Sequence, residues 1–292
     1  MKPMSRFLLF SCFLFLFIPT AAYPSGMSLG FRLYGGLHSI AGGDLNSGLS
    51  GLSRLLEIQA GQAGMSVDGS FQDVSWSLTG GLDLILQFTP WLGLEIGGGY
   101  CQASRESVVR YNGAPDAGQW TIKPTAAAFP VRAGLTLLVP LGSGLSLSAH
   151  GGAAYFLASA KTSFRLESEA TGQWSQETQD TTARGIGWYG GVGLEIRISR
   201  GLFFLIEAQG RLARIDGFEG DLSASNSLGA EDNRSGTLYH FRVNLPPGYS
   251  ESGVNLLYIF ETAPAGGGLT DVRPAQVDFG GFGAAVGLMI RL

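Results

Sequence analysis

The chain has 292 residues, of which 14% are charged and 45 are glycine, against roughly 25% charged and 7% glycine in average proteins. Its length allows one large domain or two ordinary ones, and its net charge of −4 offers no basic surface for a nucleic-acid partner. Few charges, abundant glycine and positive mean hydropathy exclude an ordinary cytoplasmic enzyme and point to a β-rich protein solvated by something other than water.

The first segment accounts for part of the apolar excess. Lys2 and Arg6 precede the run FLLFSCFLFLFIP, and Thr20, Ala21 and Ala22 supply small residues at a cleavage position. This is the charge, apolar core and small-residue order of a secretory signal peptide, and the run is too short to span a bilayer comfortably. Residues 1–22 are therefore expected to be removed on export, leaving 23–292 as one domain. Cys12 lies inside the apolar core rather than after it, which argues against a lipoprotein. Loss of Lys2 and Arg6 takes the net charge from −4 to −6. Cys101 is then the lone cysteine, so no internal disulfide staples the fold.

Beyond the signal, one pattern recurs. MSLGFRLYGGLHSI (27–40) reads as an opening strand. SWSLTGGLDLILQFTPWLGLEIGGGY (75–100), AGLTLLVPLGSGLSLSAHGGAAY (133–155) and GGVGLEIRISRGLFFLIEAQG (190–210) each read as two alternating strands around a short turn. VDFGGFGAAVGLMIRL (277–292) reads as a closing strand. Period-two alternation bounded by turn residues marks half-buried strands, and the pieces sum to eight. The turns within hairpins are short, whereas the links at 42–72, 167–184 and 217–271 are long and that at 113–119 is shorter and polar. Short turns at one end and long loops at the other predict an all-β fold: a closed antiparallel up-and-down transmembrane β-barrel with periplasmic turns and extracellular loops.

Two of the loops carry patterns of their own. Leu45, Leu49, Leu52 and Leu56 fall at helical spacing, which predicts a short helix that caps the barrel mouth, lies on the membrane surface or packs locally on the rim. TLYHFRVN (237–244) and VNLLYIFETA (254–263) read as a hairpin rising above the membrane with Tyr239, Phe241, Tyr258 and Phe260 exposed. Were that hairpin part of the wall, the barrel would have ten strands, but His240 and Arg242 on such short segments argue against it.

The alternation separates two faces. One holds the large apolar residues, among them Leu33, Leu82, Leu135, Val192, Ile206 and Val286. The other holds nearly every strand charge: Arg32, Asp83, Glu95, Arg132, Glu195, Arg197, Glu207, Arg211 and Arg291, with Gly, Ser, Thr, Tyr34 and His150 between them. A lipocalin-like barrel would turn the second set to water, giving a surface far less charged than soluble proteins carry. Placing it in the lumen leaves a continuous apolar belt for lipid, and the reverse would cost up to roughly 2–4 kcal/mol for each mid-membrane Arg. An aromatic girdle is expected from Trp76, Phe88, Trp91, Tyr100, Tyr155, Trp188, Phe203 and Phe204. From Trp76 to Phe88 a tilted strand covers roughly 28 Å, the height of the apolar band with its girdles.

With these features the chain from residue 27 to 292 resembles the small outer-membrane β-barrel proteins of Gram-negative-type bacteria, including the opacity-type and outer-membrane-protein-W-like groups. The resemblance is one of whole-chain pattern. It implies localisation in the bacterial outer membrane, contact with membrane lipid and lipopolysaccharide, and delivery by the barrel-assembly machinery. Such families usually end in an aromatic residue that this machinery reads; here Leu292 stands in that place.

Chemistry is sparse. An eight-stranded barrel is just wide enough for side chains to fill it, so the lumenal charges read as an ion-pair network that plugs the barrel, with a narrow conducting path as the other reading. His38 and Ser39 are adjacent and face opposite sides of a strand, unlike the His-x-Ser pair of lipid A deacylase-type barrels. His150 precedes two glycines, and His240 lies in a long loop with Glu231 and Asp232 nearby, a weak echo of outer-membrane proteases. Residues 281–287 (GFGAAVG) imitate a dinucleotide fingerprint but leave no room for the helix and strand it needs. No catalytic residue, metal site or cofactor is expected. The sequence supports a non-enzymatic barrel that stabilises the envelope or binds a surface ligand through loops 42–72 and 217–271, with a passive pore for small or apolar solutes as the alternative.

Overall fold

A computed structural model describes residues 27–113, 116–246, 249 and 252–292. The signal-peptide expectation for residues 1–22 lies outside the described residues. In chain order the elements are β1 (Ser28–Ser39), α1 (Asp44–Gln62), β2 (Ser66–Asp68), β3 (Trp76–Gln87), β4 (Leu92–Ser104), β5 (Ser107–Asn112), β6 (Ala117–Gly142), β7 (Leu145–Ser168) and β8 (Trp174–Ser199). There follow β9 (Leu202–Leu212), β10 (Arg214–Ile215), β11 (Glu219–Asn226), β12 (Glu231–Asn244), β13 (Gly253–Phe260), β14 (Leu269–Pro274), β15 (Val277–Asp278) and β16 (Gly281–Arg291).

Eight of these strands close a ring. β1 pairs with both β3 and β16, and the antiparallel ladder runs on through β4, β6, β7, β8 and β9 back to β16. Closure leaves no edge strand, as a membrane requires, because every backbone polar group must find its partner within the wall. The hairpin turns fall at the short links read from the sequence. Gly144 and Gly201, with φ of 120° and 81°, supply backbone conformations that a side chain would resist. On the outer surface Leu33, Leu135, Val192 and Val286 are 60%, 52%, 56% and 54% exposed. Water-soluble proteins do not present so continuous an apolar belt.

Three strands outrun the ring. β6, β7 and β8 have 26, 24 and 26 residues, more than twice the roughly 9–11 that cross a bilayer. Their far halves carry the same sheet on beyond the ring at the long-loop end, in the order β2, β5, β6, β7, β8, β11, β12, β13, with β14 also paired to β12. There β11 takes the place beside β8 that β9 holds in the barrel, with Glu219 opposite Thr182. α1 touches both β13 and β2 and so closes this upper compartment. It lies directly on β13 because Gly48 and Gly51 present no side chain. A β-carbon on Gly48 would strike Leu257, and one on Gly51 would strike the Asn255 carbonyl. Asp44 ties the start of α1 to the far loop, accepting from Arg273 Nη2 at 2.8 Å and from the Gln276 N–H at 2.8 Å.

Several sequence expectations change here. The long loop expected at 167–184 is the tip of the β7–β8 hairpin, which turns only after Ser168. Its outward residues are polar, so the apolar half of the alternation that marks a membrane strand is missing. The helix of the first loop is longer than a short cap, and its Leu45 and Leu49 are buried. The hairpin at 237–244 and 254–263 forms as β12 and β13. It hydrogen-bonds to β11 rather than to the barrel wall, which removes the ten-strand alternative. Phe241, expected to be exposed, is buried, and Tyr239, Tyr258 and Phe260 are half-buried. The cause is the compartment itself: the hairpin covers a core instead of standing free.

Candidate functional site

The lumen is built by register. β1 and β3 pair so that Arg32 stands opposite Asp83. Arg32 donates Nε to Asp83 Oδ2 at 2.8 Å, lies 2.7 Å from Glu95 Oε2 and reaches across the barrel to Glu207 Oε1 at 3.1 Å. Arg132, from β6, donates to the other oxygen of Asp83. Its guanidinium is held between the rings of Tyr34 and Tyr189, 4.9 and 5.1 Å from their centres. The Tyr189 hydroxyl donates to Glu95 Oε1 at 3.2 Å, and His150 Nδ1 lies 3.2 Å from Oε2 of the same carboxylate. The Gln209 amide donates to Glu207 at 2.7 Å, and its oxygen lies 3.1 Å from His38 Nε2.

Asp83 and Glu95 are fully buried and Arg32 is 2% exposed. Charges so placed survive only when paired and hydrogen-bonded, and here nearly every oxygen has a donor. Space for the network is made by missing side chains. A β-carbon on Gly97 would overlap the Asp83 carboxylate, and one on Gly191 would overlap the His150 ring. The lumenal cavity beside the network, lined by Tyr34, His38, Arg132, His150, Tyr189 and Arg211 among others, measures about 20 Å³.

Of the predicted lumenal charges, Arg32, Asp83, Glu95, Arg132 and Glu207 thus meet in one cluster. Glu195 and Arg291 form a separate pair nearer the short turns. Arg211 is buried and meets no carboxylate among the described residues, reaching the Ser77 hydroxyl at 3.4 Å. Arg197 departs from the expectation. It is exposed and its guanidinium lies over the Phe203 ring at 5.6 Å, because it sits two residues from its turn, beyond the last layer of the lumen.

Of the residues expected in a girdle, Trp76, Phe88, Trp91, Tyr100, Tyr155 and Trp188 are exposed, and Phe204 is half-buried on the same outer face. Phe203 is a correction. Adjacent strand residues face opposite sides, so Phe203 turns inward and packs with Ile85, Leu205 and Met289 in an apolar layer at the short-turn end. Tyr189 and Gln209 were not singled out from the sequence, although their parity matches that of Glu195 and Glu207.

Among the described residues, those named for a deacylase-like or protease-like reading do not come together. His38 bonds to Gln209 inside the barrel, while the Ser39 hydroxyl accepts from the Phe282 N–H on the other face. His240 lies 3.3 Å from Asp271 and not with Glu231 and Asp232. Among the described residues no cluster of metal-ligating side chains occurs.

A closed ring, a lipid-facing apolar belt and a polar lumen are accompanied by a match between residues 10–231 and the sequence profile of the outer membrane protein beta-barrel domain. The chain belongs to that family. It is a protein of the bacterial outer membrane, with its short turns in the periplasm and its long connections outside the cell. The match ends before β16, the strand that closes the ring against β1. Among solved structures the chain is similar to the outer membrane protein OprG from Pseudomonas aeruginosa, at 14% identity over 91% of this chain and 97% of that one, with a TM-score of 0.37. No curated protein matches it.

Proposed function

We propose that the protein is a non-enzymatic, non-conducting barrel whose work is done by its extracellular compartment, as a surface-binding module. The observation that carries this reading is the closed lumen. The cavity beside the Arg32 cluster measures about 20 Å³, room for about one water, and the Phe203 layer lies at the short-turn end of the same lumen. A barrel filled in this way anchors and rigidifies, and leaves recognition to what stands above the membrane. The separation of His38 from Ser39 and the pairing of His240 with Asp271 support the absence of lipid-modifying or proteolytic activity. The apolar belt suits outer-membrane lipid and lipopolysaccharide, and assembly of such a wall calls for the barrel-assembly machinery.

The test is single-channel recording of the full chain in planar bilayers. The expected result is an electrically silent membrane, and stable openings would establish the alternative, a passive pore for small or apolar solutes. Lipid A analysed by mass spectrometry with and without the protein should be unchanged.

A further inference from the structure

Beneath α1 the extracellular compartment holds a cavity of about 240 Å³. Leu49 and Leu52 of α1, Phe164 of β7, Phe241 of β12 and Leu257 of β13 form its apolar walls. Protein interiors contain few voids larger than a water, and an apolar cavity of about 150 Å³ already takes up benzene. A space of this size, left beside the line where α1 packs on β13, is a ligand-sized feature.

One edge is polar. Glu177 of β8 lines the cavity, and its carboxylate accepts from the Tyr258 hydroxyl at 3.0 Å and from the Gln179 amide at 2.9 Å. Both donors are neutral. A carboxylate accepts about four hydrogen bonds, so Glu177 retains capacity for a donor arriving from the cavity. Arg234, the neighbouring cation, is engaged by Asp232.

We propose that this cavity binds one small amphiphile, with an apolar body of about six to eight heavy atoms (taking roughly 30 Å³ for each water-sized unit) and an amine or hydroxyl head that donates to Glu177. The site rests on the surface-binding reading and names its ligand class. An anionic head is disfavoured, because it would place two negative charges together in a partly dehydrated space.

The experiment is calorimetric titration of the full chain in lipid nanodiscs with n-hexylamine, n-hexanol and hexanoate, using empty nanodiscs to remove partitioning into lipid. Hexylamine should bind saturably and hexanoate at least about tenfold more weakly, the usual margin of a charge-assisted hydrogen bond. Glu177→Gln should bring hexylamine down to the level of hexanol, with hexanol itself falling far less because the amide oxygen still accepts from a hydroxyl. Ala160→Phe and, from the opposite wall, Leu52→Trp should abolish saturable binding of all three, with an unchanged rate of limited proteolysis in α1 showing that the compartment of each variant has folded. Uptake that matches empty nanodiscs, or that survives both filled cavities, would overturn the site. Equal affinity for hexanoate would overturn the head-group assignment. A silent barrel that binds nothing defeats this proposal alone, whereas stable channel openings beside intact binding defeat only the sealed-lumen reading.

Discussion

β6, β7 and β8 each pass through two environments, and their side chains reverse at the boundary. Within the ring, β7 turns Leu147 and Tyr155 outward and Ser148 and His150 inward; β6 turns Leu135 outward and Arg132 inward. Above it the same strands keep the same alternation with the opposite content. Lys161 pairs with Asp180 at 3.1 Å and Lys123 with Glu106 at 3.5 Å on the outside, while Ile122 and Ala160 are buried within. The exposed apolar residues Phe129, Leu157 and Ile186 mark the crossing. The β6–β7 ladder holds one register from Gly118 opposite Ser168 to Pro140 opposite Ser146, so no bulge accompanies the change. What changes is the solvent. Water drives apolar groups inward, whereas lipid leaves them outside and confines polar groups to a lumen where they satisfy one another.

The sharpest way to break this comparison is to remove the centre of the polar core. Arg32→Met leaves Asp83, Glu95 and Glu207 without their shared cation, and breaking a buried pair from one side costs about 3–5 kcal/mol. Urea unfolding in lipid vesicles, followed by loss of the compact cold-migrating band, should show a loss of that size. A loss under about 1 kcal/mol, the range of an exposed ion pair, would mean that the lumen is wetter than its packing indicates. In the upper compartment the corresponding change is Leu49→Ala, expected to cost about 2–5 kcal/mol as a buried Leu truncation. That loss should be local: limited proteolysis of α1 should accelerate while the band shift of the barrel stays intact. If both fail together, the two regions form one cooperative unit.

The outward face supplies a third contrast. Leu135→Arg, on the lipid belt, should cost about 2–4 kcal/mol. Lys161→Leu, on the same kind of outward position above the crossing, should stay within about 0.5 kcal/mol. Equal effects on urea unfolding would place the membrane boundary elsewhere on these strands.

The sequence announces the first of the two regions far better than the second. Residues such as Leu33, Leu82 and Val286 had to be apolar at every second position, because lipid tolerates nothing else, and that strictness makes eight strands and their short turns readable. Ser163, Arg165 and Glu167 face water and alternate with Thr162, Phe164 and Leu166, a pattern weak enough to pass for a loop. Parity placed Arg32, Asp83, Glu95 and Glu207 on one face. It could not bring Glu95 within reach of Tyr189, 94 positions later, since that contact depends on which strands close the ring. The adjacent Phe203 and Phe204 could have been separated by parity alone, and Phe203 then sent inward. The spacing of Leu45, Leu49 and Leu52 declares a helix, but only Gly48 and Gly51 against β13 say where it lies.

The smallest expected effect reads the upper compartment without unfolding it. Burial, together with the adjacent Glu177 carboxylate that accepts a hydrogen bond from its hydroxyl, pushes the Tyr258 phenol from its ordinary value near 10 up to about 12. Both influences disfavour the phenolate in the folded state. Their sign means that stability is fully present below the unfolded value and is lost as pH rises through the window from about 10 to about 12. Glu177→Gln removes the neighbouring charge but leaves the burial, so the Tyr258 titration followed by ultraviolet difference absorbance should move down without reaching the ordinary tyrosine value. A titration unmoved by this substitution would mean that burial alone holds the phenol neutral. Glu177 would then stand in water, and the polar edge of the cavity would belong to the surface rather than to the compartment.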